Sequence, residues 1–188
     1  CADLGIPVPD DRVCRQIIGL GLQQALQTLL PDLPEGEYPR LVDRYRHHYL
    51  GRDAEIPLFG GVQEGIRELH GAGFILAVAT GKSLKGLERA LDHSQLRPYF
   101  SATRCADQTH SKPHPAMVEE ILAELMLEKH QALVIGDTSH DMLMAVNAWV
   151  DRLGVSYGAH LPGDLHEHAP VAVLDTFAEV KTWLLNRA

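Results

Sequence analysis

Two aspartates set four residues apart are the first sign of chemistry in this chain. In Leu133-Val134-Ile135-Gly136-Asp137-Thr138-Ser139-His140-Asp141 an apolar run ends in a glycine and an acid, and a second acid follows about one helical turn later. Both carboxylates can then face one mouth. Hard oxygen ligands at this spacing suit Mg²⁺, which keeps some of its waters and binds through one or two carboxylates plus a phosphate. The same residues also suit a helix start, with Asp137 or Thr138 as N-cap and Asp141 as a first-turn acid. Both readings fit the segment taken alone. A second segment, Val78-Ala79-Thr80-Gly81-Lys82-Ser83, puts a hydroxyl at the end of an apolar run, then a glycine and a helix start. Thr80, Gly81 and free backbone N–H groups would make a small anion cradle. Thr80 or Ser83 could equally cap the helix, and Lys82 reads as a surface lysine. A third, Ser111-Lys112-Pro113-His114-Pro115, holds Lys112 in a stiff loop between prolines, where a point cation can pair with a carboxylate and with phosphate oxygens.

The elements that must position these residues fall into two kinds. Residues 1–57 read as all-helical. Cys1-Ala2-Asp3-Leu4-Gly5 resembles a helix end running into a glycine stop. A short helix is expected at about 10–17. A leucine face through Leu20, Leu22, Leu26, Leu29 and Leu30 stops at Pro31, and a helix over 37–50 carries Leu41, Val42, Tyr45 and Tyr49 on one side. These stripes read as bundle core rather than as a binding groove. From 58 to 188 strands alternate with helices. Phe74–Ala79 and Ala132–Ile135 are continuous apolar runs, typical of strands buried on both faces. Phe100–Cys105, Arg152–Tyr157 and Val171–Val173 complete the strands. Helices are expected over Ser83–Asp92, Pro115–Leu127 and Thr138–Ala148, with a last one capped by Asp175. Such alternation predicts an α/β fold, a parallel sheet with right-handed crossovers. Ligands bind such sheets beyond the carboxyl ends of the strands. All three segments above fall there.

Taken in order, the apolar strand followed by Thr80, then Lys112-Pro113, then strand-Gly136-Asp137-Thr138 with Asp141, resembles the haloacid dehalogenase superfamily over the whole chain. Thr80-Gly81-Lys82-Ser83, Ser111-Lys112-Pro113-His114-Pro115 and Gly136-Asp137-Thr138 resemble its phosphoglycolate-phosphatase-like branch. The resemblance implies a Rossmann-like α/β core at 58–188 and a small all-helical cap at 1–57. It also implies a Mg²⁺-dependent phosphomonoester hydrolase working through an aspartyl-phosphate on a small phosphorylated metabolite. Thr80 and Gly81 would hold phosphoryl oxygens, Lys112 would neutralise charge between nucleophile and phosphate, and Asp137 and Asp141 would bind the metal or its waters. Electrostatic positioning of this sort is most of what phosphoryl transfer needs. Gly19, Leu20 and Gly21 are the cap loop expected to reach the site. The family's nucleophile and acid-base pair, an Asp-x-Asp on the first strand, has no counterpart here. Asp10-Asp11 follows no strand, and Asp151 and Asp175 stand elsewhere in the order. The expectation is that this strand is encoded upstream, some 20 residues before Cys1 by ordinary helix length. These residues alone would then be inactive and would expose strand edges prone to aggregation. A phosphomutase or a dehalogenase on the same fold, and a non-catalytic fragment, are the competing readings. Trp149 stands where relatives often carry glycine, so the geometry of that helix end is open.

Composition bounds the remaining classes. The 188 residues are 45% hydrophobic and 22% charged, with 25 acidic against 17 basic side chains and a net charge of -8. No Lys/Arg block argues for nucleic acid. No apolar run approaches the roughly 20 residues of a membrane span, and no signal peptide is visible. Three cysteines match no zinc pattern and suit a reducing, cytoplasmic setting. A monomer or a homodimer is expected. Pro113 forbids a helical His110/His114 zinc pair, and His47-His48 and His166-x-His168 read as solvated surface. Cys1 as an N-terminal nucleophile is discounted, because those hydrolases are layered antiparallel sheets.

Overall fold

The computed structural model describes residues 1–50 and 56–187. A 3₁₀ turn at Ala2–Leu4 ends at Gly5, whose φ of 68° is the left-handed stop that the glycine suits. Helix α1 (Asp11–Gln16) starts where the Asp10 carboxylate accepts a hydrogen bond from the Arg12 N–H. Helices α2 (Leu22–Leu29) and α3 (Tyr38–Leu50) follow. Leu26, Tyr38 and Leu41 form their shared core, and the Tyr38 hydroxyl donates to the Leu30 carbonyl at 2.6 Å, closing the chain between the two helices. The anticipated tyrosine stripe splits along α3. Tyr38 and Leu41 face this core, whereas Tyr45 is 45% exposed.

Next comes α4 (Val62–Gly71), a helix that the sequence reading passed over. Glycines at 60, 61, 65 and 71 look like breakers, yet Gly65 is helical because α9 lies against it. A Cβ there would strike the Phe177 ring. Beyond it, β1 (Leu76–Thr80), α5 (Leu84–Ser94), β2 (Phe100–Cys105), α6 (Ala116–Leu125), β3 (Leu133–Gly136), α7 (Ser139–Ala148), β4 (Asp151–Val155), α8 (Pro162–His166), β5 (Val173–Leu174) and α9 (Phe177–Leu185) alternate; α8 is not among the expected helices, and β5 falls at Val173–Leu174 where a strand is expected at Val171–Val173. The last helix is capped by Thr176 instead of Asp175. Its hydroxyl accepts from the Glu179 N–H, while Glu179 reaches back in a capping box. Trp149 ends α7 in the left-handed region, at φ 61°, with its ring 82% exposed.

All pairings are parallel. β1 pairs with β2, from Leu76 opposite Phe100 to Thr80 opposite Cys105, and a separate sheet runs β3-β4-β5. Among the described residues β1 and β3 are not paired with each other. Both instead lean on one helical layer: Ala79 and Val134 pack against the cluster built by Met117, Val118 and Leu122 of α6 with Met144 and Ala148 of α7. The other faces are covered too, as expected: Val78 packs on the cluster of Leu87, Leu91 and Cys105, and Leu133 on that of Leu153 and Val180. Burial is incomplete at Ile75, just before β1, and at Ile135, which are 54% and 41% exposed, and β1 and β3 each keep an unpaired edge among the described residues. No described helix is long and apolar enough to cross a membrane.

Candidate active site

The α7 N-terminus is built as a closed electrostatic unit. Thr138 is the N-cap. Its hydroxyl oxygen accepts from the Asp141 N–H at 3.2 Å, while the Thr138 N–H and hydroxyl donate to Asp141 Oδ2 at 3.1 and 2.6 Å. Asp141 Oδ1 takes the Lys112 ammonium at 2.6 Å, and both side chains are only 7% exposed. Burial pushes the Asp141 carboxyl up, but the Lys112 charge and the Lys112 and Thr138 hydrogen bonds outweigh it and hold the pKa below the ordinary carboxylate value. Gly136 is needed less for a turn than for room, since a Cβ there would overlap the Asp141 side chain. Capping and charge pairing thus occupy both oxygens of Asp141.

Asp137 is held differently. Its Oδ2 accepts from the Ala159 N–H at 2.8 Å and its carbonyl from the His160 N–H at 3.2 Å. Gly158 passes so close that a Cβ would overlap the Asp137 carboxylate. His160, buried at 3% exposure, accepts the Ser139 N–H on Nδ1 at 3.1 Å, which puts its ring proton on Nε2. Burial, then the neighbouring His140, hold its pKa below the usual histidine value. The sequence reading missed this clamp. Its signal was the run Tyr157-Gly158-Ala159-His160, which lies just past β4 on the side of the sheet where ligands bind. Asp137 Oδ1 makes no hydrogen bond among the described residues, so one hard oxygen is on offer. No group of three or more His, Cys, Asp and Glu side chains gathers among those residues. The donor set fits an ion bound by one carboxylate, waters and a phosphate, as Mg²⁺ is, and does not fit an all-protein zinc cage.

The third component is the turn after β1. Thr80 Oγ1 accepts from the Lys82 N–H at 3.2 Å, and Ser83 caps α5 by accepting from Gly86. Over this turn lies Gly19-Leu20-Gly21. The Gly19 and Leu20 carbonyls sit 2.6 and 2.5 Å from where a Gly81 Cβ would be. Gly19, at φ 99°, lies against the Thr138 side chain, and the Gly21 N–H donates to Ser111 Oγ at 2.8 Å. One short loop therefore meets the turns after β1, β2 and β3 together. His140 adds a fourth tie, pairing Nε2 with the Gln16 carbonyl at 2.8 Å. Thr80 makes no bond to Lys112, Asp137 or Asp141, and it joins them only through this shared loop. Lys82, read as a surface lysine, turns inward onto the Tyr49 hydroxyl. His110 and His114 stack ring on ring, and His114 Nδ1 accepts the Ala116 N–H, so this pair serves the start of α6. The cleft under the loop is about 1580 Å³, lined by both the N-terminal helices and the β1–α5 turn.

Known proteins resemble this chain in sequence and fold. The family model for haloacid dehalogenase-like hydrolases matches residues 1–155. A "Probable phosphatase IndB" of Dickeya dadantii is 35% identical over 184 residues, covering 95% of this chain and 80% of that one. A phosphoglycolate phosphatase of Colwellia psychrerythraea is 32% identical over 127 residues, covering 67% and 56%. Among solved structures, a hydrolase from Pseudomonas syringae superposes at a TM-score of 0.88 with 21% identity, covering all of this chain and 87% of that one, a likeness of fold. Matching order of motifs, parallel α/β core and family coverage together place this chain in the haloacid dehalogenase-like hydrolase family.

Proposed function

We propose that the intact protein is a Mg²⁺-dependent phosphomonoester hydrolase of small phosphorylated metabolites, cytoplasmic, and monomeric or homodimeric. The observation that carries this reading is the single loop Gly19–Gly21 seated on the Thr80-Gly81 turn, on Ser111 and on Thr138. A phosphate bound there would be covered by one element and contacted from three strand ends. The phosphatases among the relatives support the reaction class. Residues 1–57 act as the cap and 58–188 as the core.

In this reading Thr80 and the backbone around Gly81 bind phosphoryl oxygens. Lys112 spends one N–H on Asp141 and keeps two for the phosphate and the attacking carboxylate. Asp137 is the carboxylate that holds Mg²⁺, which when bound supplies charge neutralisation on the phosphoryl oxygens. Asp141 fixes Lys112, since both of its oxygens are engaged. The nucleophilic aspartate lies on a strand outside these residues. The unpaired edges of β1 and β3, with Ile75 and Ile135 exposed beside them, leave a place for one parallel strand whose carboxyl end would point at the same mouth. The ester P–O bond then breaks as the carboxylate–phosphorus bond forms. The alcohol leaves with a proton from the acid-base aspartate expected on that same strand, and water, giving a proton back to that aspartate, releases inorganic phosphate from the aspartyl-phosphate. The test is phosphate release from a panel of phosphate esters by the full-length protein, with EDTA and Mg²⁺ add-back. Turnover should need Mg²⁺ and vanish in Asp137→Asn. Full activity in that variant would refute the role of Asp137, and no release from any ester would refute the reaction.

A further inference from the structure

A helix whose apolar stripe served the bundle alone would bury Tyr45 and Tyr49 with Leu41. Instead α3 changes face. Leu41 is 2% exposed in the helical core, while one turn on Tyr45 is 45% exposed and Tyr49 half-buried, and both line the cleft. Their rings stack at 5.8 Å between centroids and 12° between planes. Tyr49 covers one face of Tyr45 and leaves the rest of that ring to the cleft. Lys82 lies over the Tyr49 ring, 4.9 Å from its centroid, and bonds its hydroxyl. Burial and then Tyr49 raise the Tyr45 pKa, with the Lys82 charge pulling the other way. Lys82 follows Thr80-Gly81 directly, so the aromatic pair stands one lysine side chain away from the turn that would hold the phosphate.

Size points the same way. Sites for small molecules occupy roughly 300–1,000 Å³. This cleft is larger, and its wall mixes apolar side chains such as Ile18 and Leu22 with polar and charged ones such as Gln23, Arg44 and His48. A two-carbon leaving group would fill little of it. Aromatic rings prefer offset-stacked or edge-on partners, and a stacked pair with one ring still open is a platform for a third flat ring.

We propose that Tyr45 and Tyr49, backed by Lys82, form the leaving-group subsite, and that the substrate is a phosphate monoester whose leaving group carries a planar aromatic or heteroaromatic ring. This rests on the phosphatase reading for the position of the phosphate. Binding is therefore tested apart from turnover. The full-length protein is titrated by calorimetry with benzylphosphonate and with cyclohexylmethylphosphonate, which match in length and bulk but differ in flatness. The benzyl compound should bind about three- to ten-fold more tightly, the range of an aromatic pair beyond area burial. Tyr45→Leu should abolish that preference and Tyr45→Phe should keep it, which separates loss of the ring from loss of fold. Equal affinities, binding of neither, or a preference that survives Tyr45→Leu overturns the subsite. Phosphate release from benzyl phosphate is read separately. A ring preference without Mg²⁺-dependent release supports the subsite and removes the phosphatase reading. Release without ring preference removes the subsite and keeps the phosphatase.

Discussion

Asp141→Asn keeps the shape of the side chain and an oxygen for Thr138, but it strands the Lys112 ammonium. The pair lies at 2.6 Å with each side chain 7% exposed, so solvent compensates the lost partner poorly. Breaking a buried pair from one side costs about 3–5 kcal/mol. At about 2–4 °C per kcal/mol for a chain of this size, the melting temperature should fall by about 6–20 °C. Lys112→Met should cost less, because Asp141 keeps its Thr138 donors. In the double variant Lys112→Met/Asp141→Asn the losses should not add, since no charge is left to strand. The sign with pH follows from the depressed Asp141 pKa. Its contribution is whole above the unfolded aspartate value, about 3.9, and is lost as pH falls through the lower folded value. Urea midpoints of wild type and Asp141→Asn should therefore stay parallel from about pH 5 to 8 and converge only below about pH 4. Mg²⁺ separates anchor from ligand. If Asp141 serves Lys112, added Mg²⁺ still raises the midpoint of Asp141→Asn, and it fails to do so in Asp137→Asn. A loss under about 1 kcal/mol, or additive single variants, would refute the buried-pair reasoning.

Three further outcomes are expected. Gly158→Ala drives a methyl into the Asp137 carboxylate; displacing that group by an ångström should cost about 100-fold in kcat, and wild-type kcat would show that Asp137 is not held where the chemistry needs it. Ser111→Ala removes the acceptor of the Gly21 N–H; a part-buried hydrogen bond of about 1 kcal/mol should appear as a roughly five-fold rise in KM with kcat little changed, and an unchanged KM means the loop is seated by other contacts. Cys105 has no exposure and its thiol is pushed up to about 11, mainly by burial. At pH 8 about one molecule in a thousand carries that thiolate, so iodoacetamide should label Cys1 and Cys14 in the native protein and Cys105 only after unfolding.

What the sequence disclosed depended on how local the cause was. Strands and helices from β1 to α7 were legible because each is bounded by its own residues, such as Thr138 and Asp141 completing a capping box within four positions. The Gly19–Gly21 loop stands out in the sequence as flexible and near a helix start in a cap implied by resemblance, and its glycines do let it approach the Thr80-Gly81 turn and Thr138 closely. Helix α4 was not, because the glycine that makes it look broken is explained by Phe177, more than a hundred residues away. The inward turn of Lys82 and the splitting of the tyrosine stripe depend in the same way on two elements meeting. The clamp on Asp137 rests on the Ala159 and His160 N–H groups, so its one signal was the position of the run 157–160 just past β4 and not the residue types in it.

The four-residue spacing that first drew attention to Asp137 and Asp141 can now be given a division of labour. Asp137 precedes the N-cap, where the chain is still extended and its side chain is gripped by the β4 turn. Asp141 is the third residue of α7, where a carboxylate folds back on Thr138 and is aimed inward at Lys112. On the proposed reading, capping and metal binding fall to different acids and are not rivals. Capping engages Asp141, and Asp141 in turn holds the Lys112 ammonium. The helix N-terminus and Lys112 then raise the local potential beside Asp137, in a protein whose net charge is -8. That is the condition a doubly charged phosphate needs to enter an acidic molecule. It also explains why two acids one turn apart, which would repel each other if both were unpaired, can share a single strand end with Asp141 buried and Asp137 half-buried.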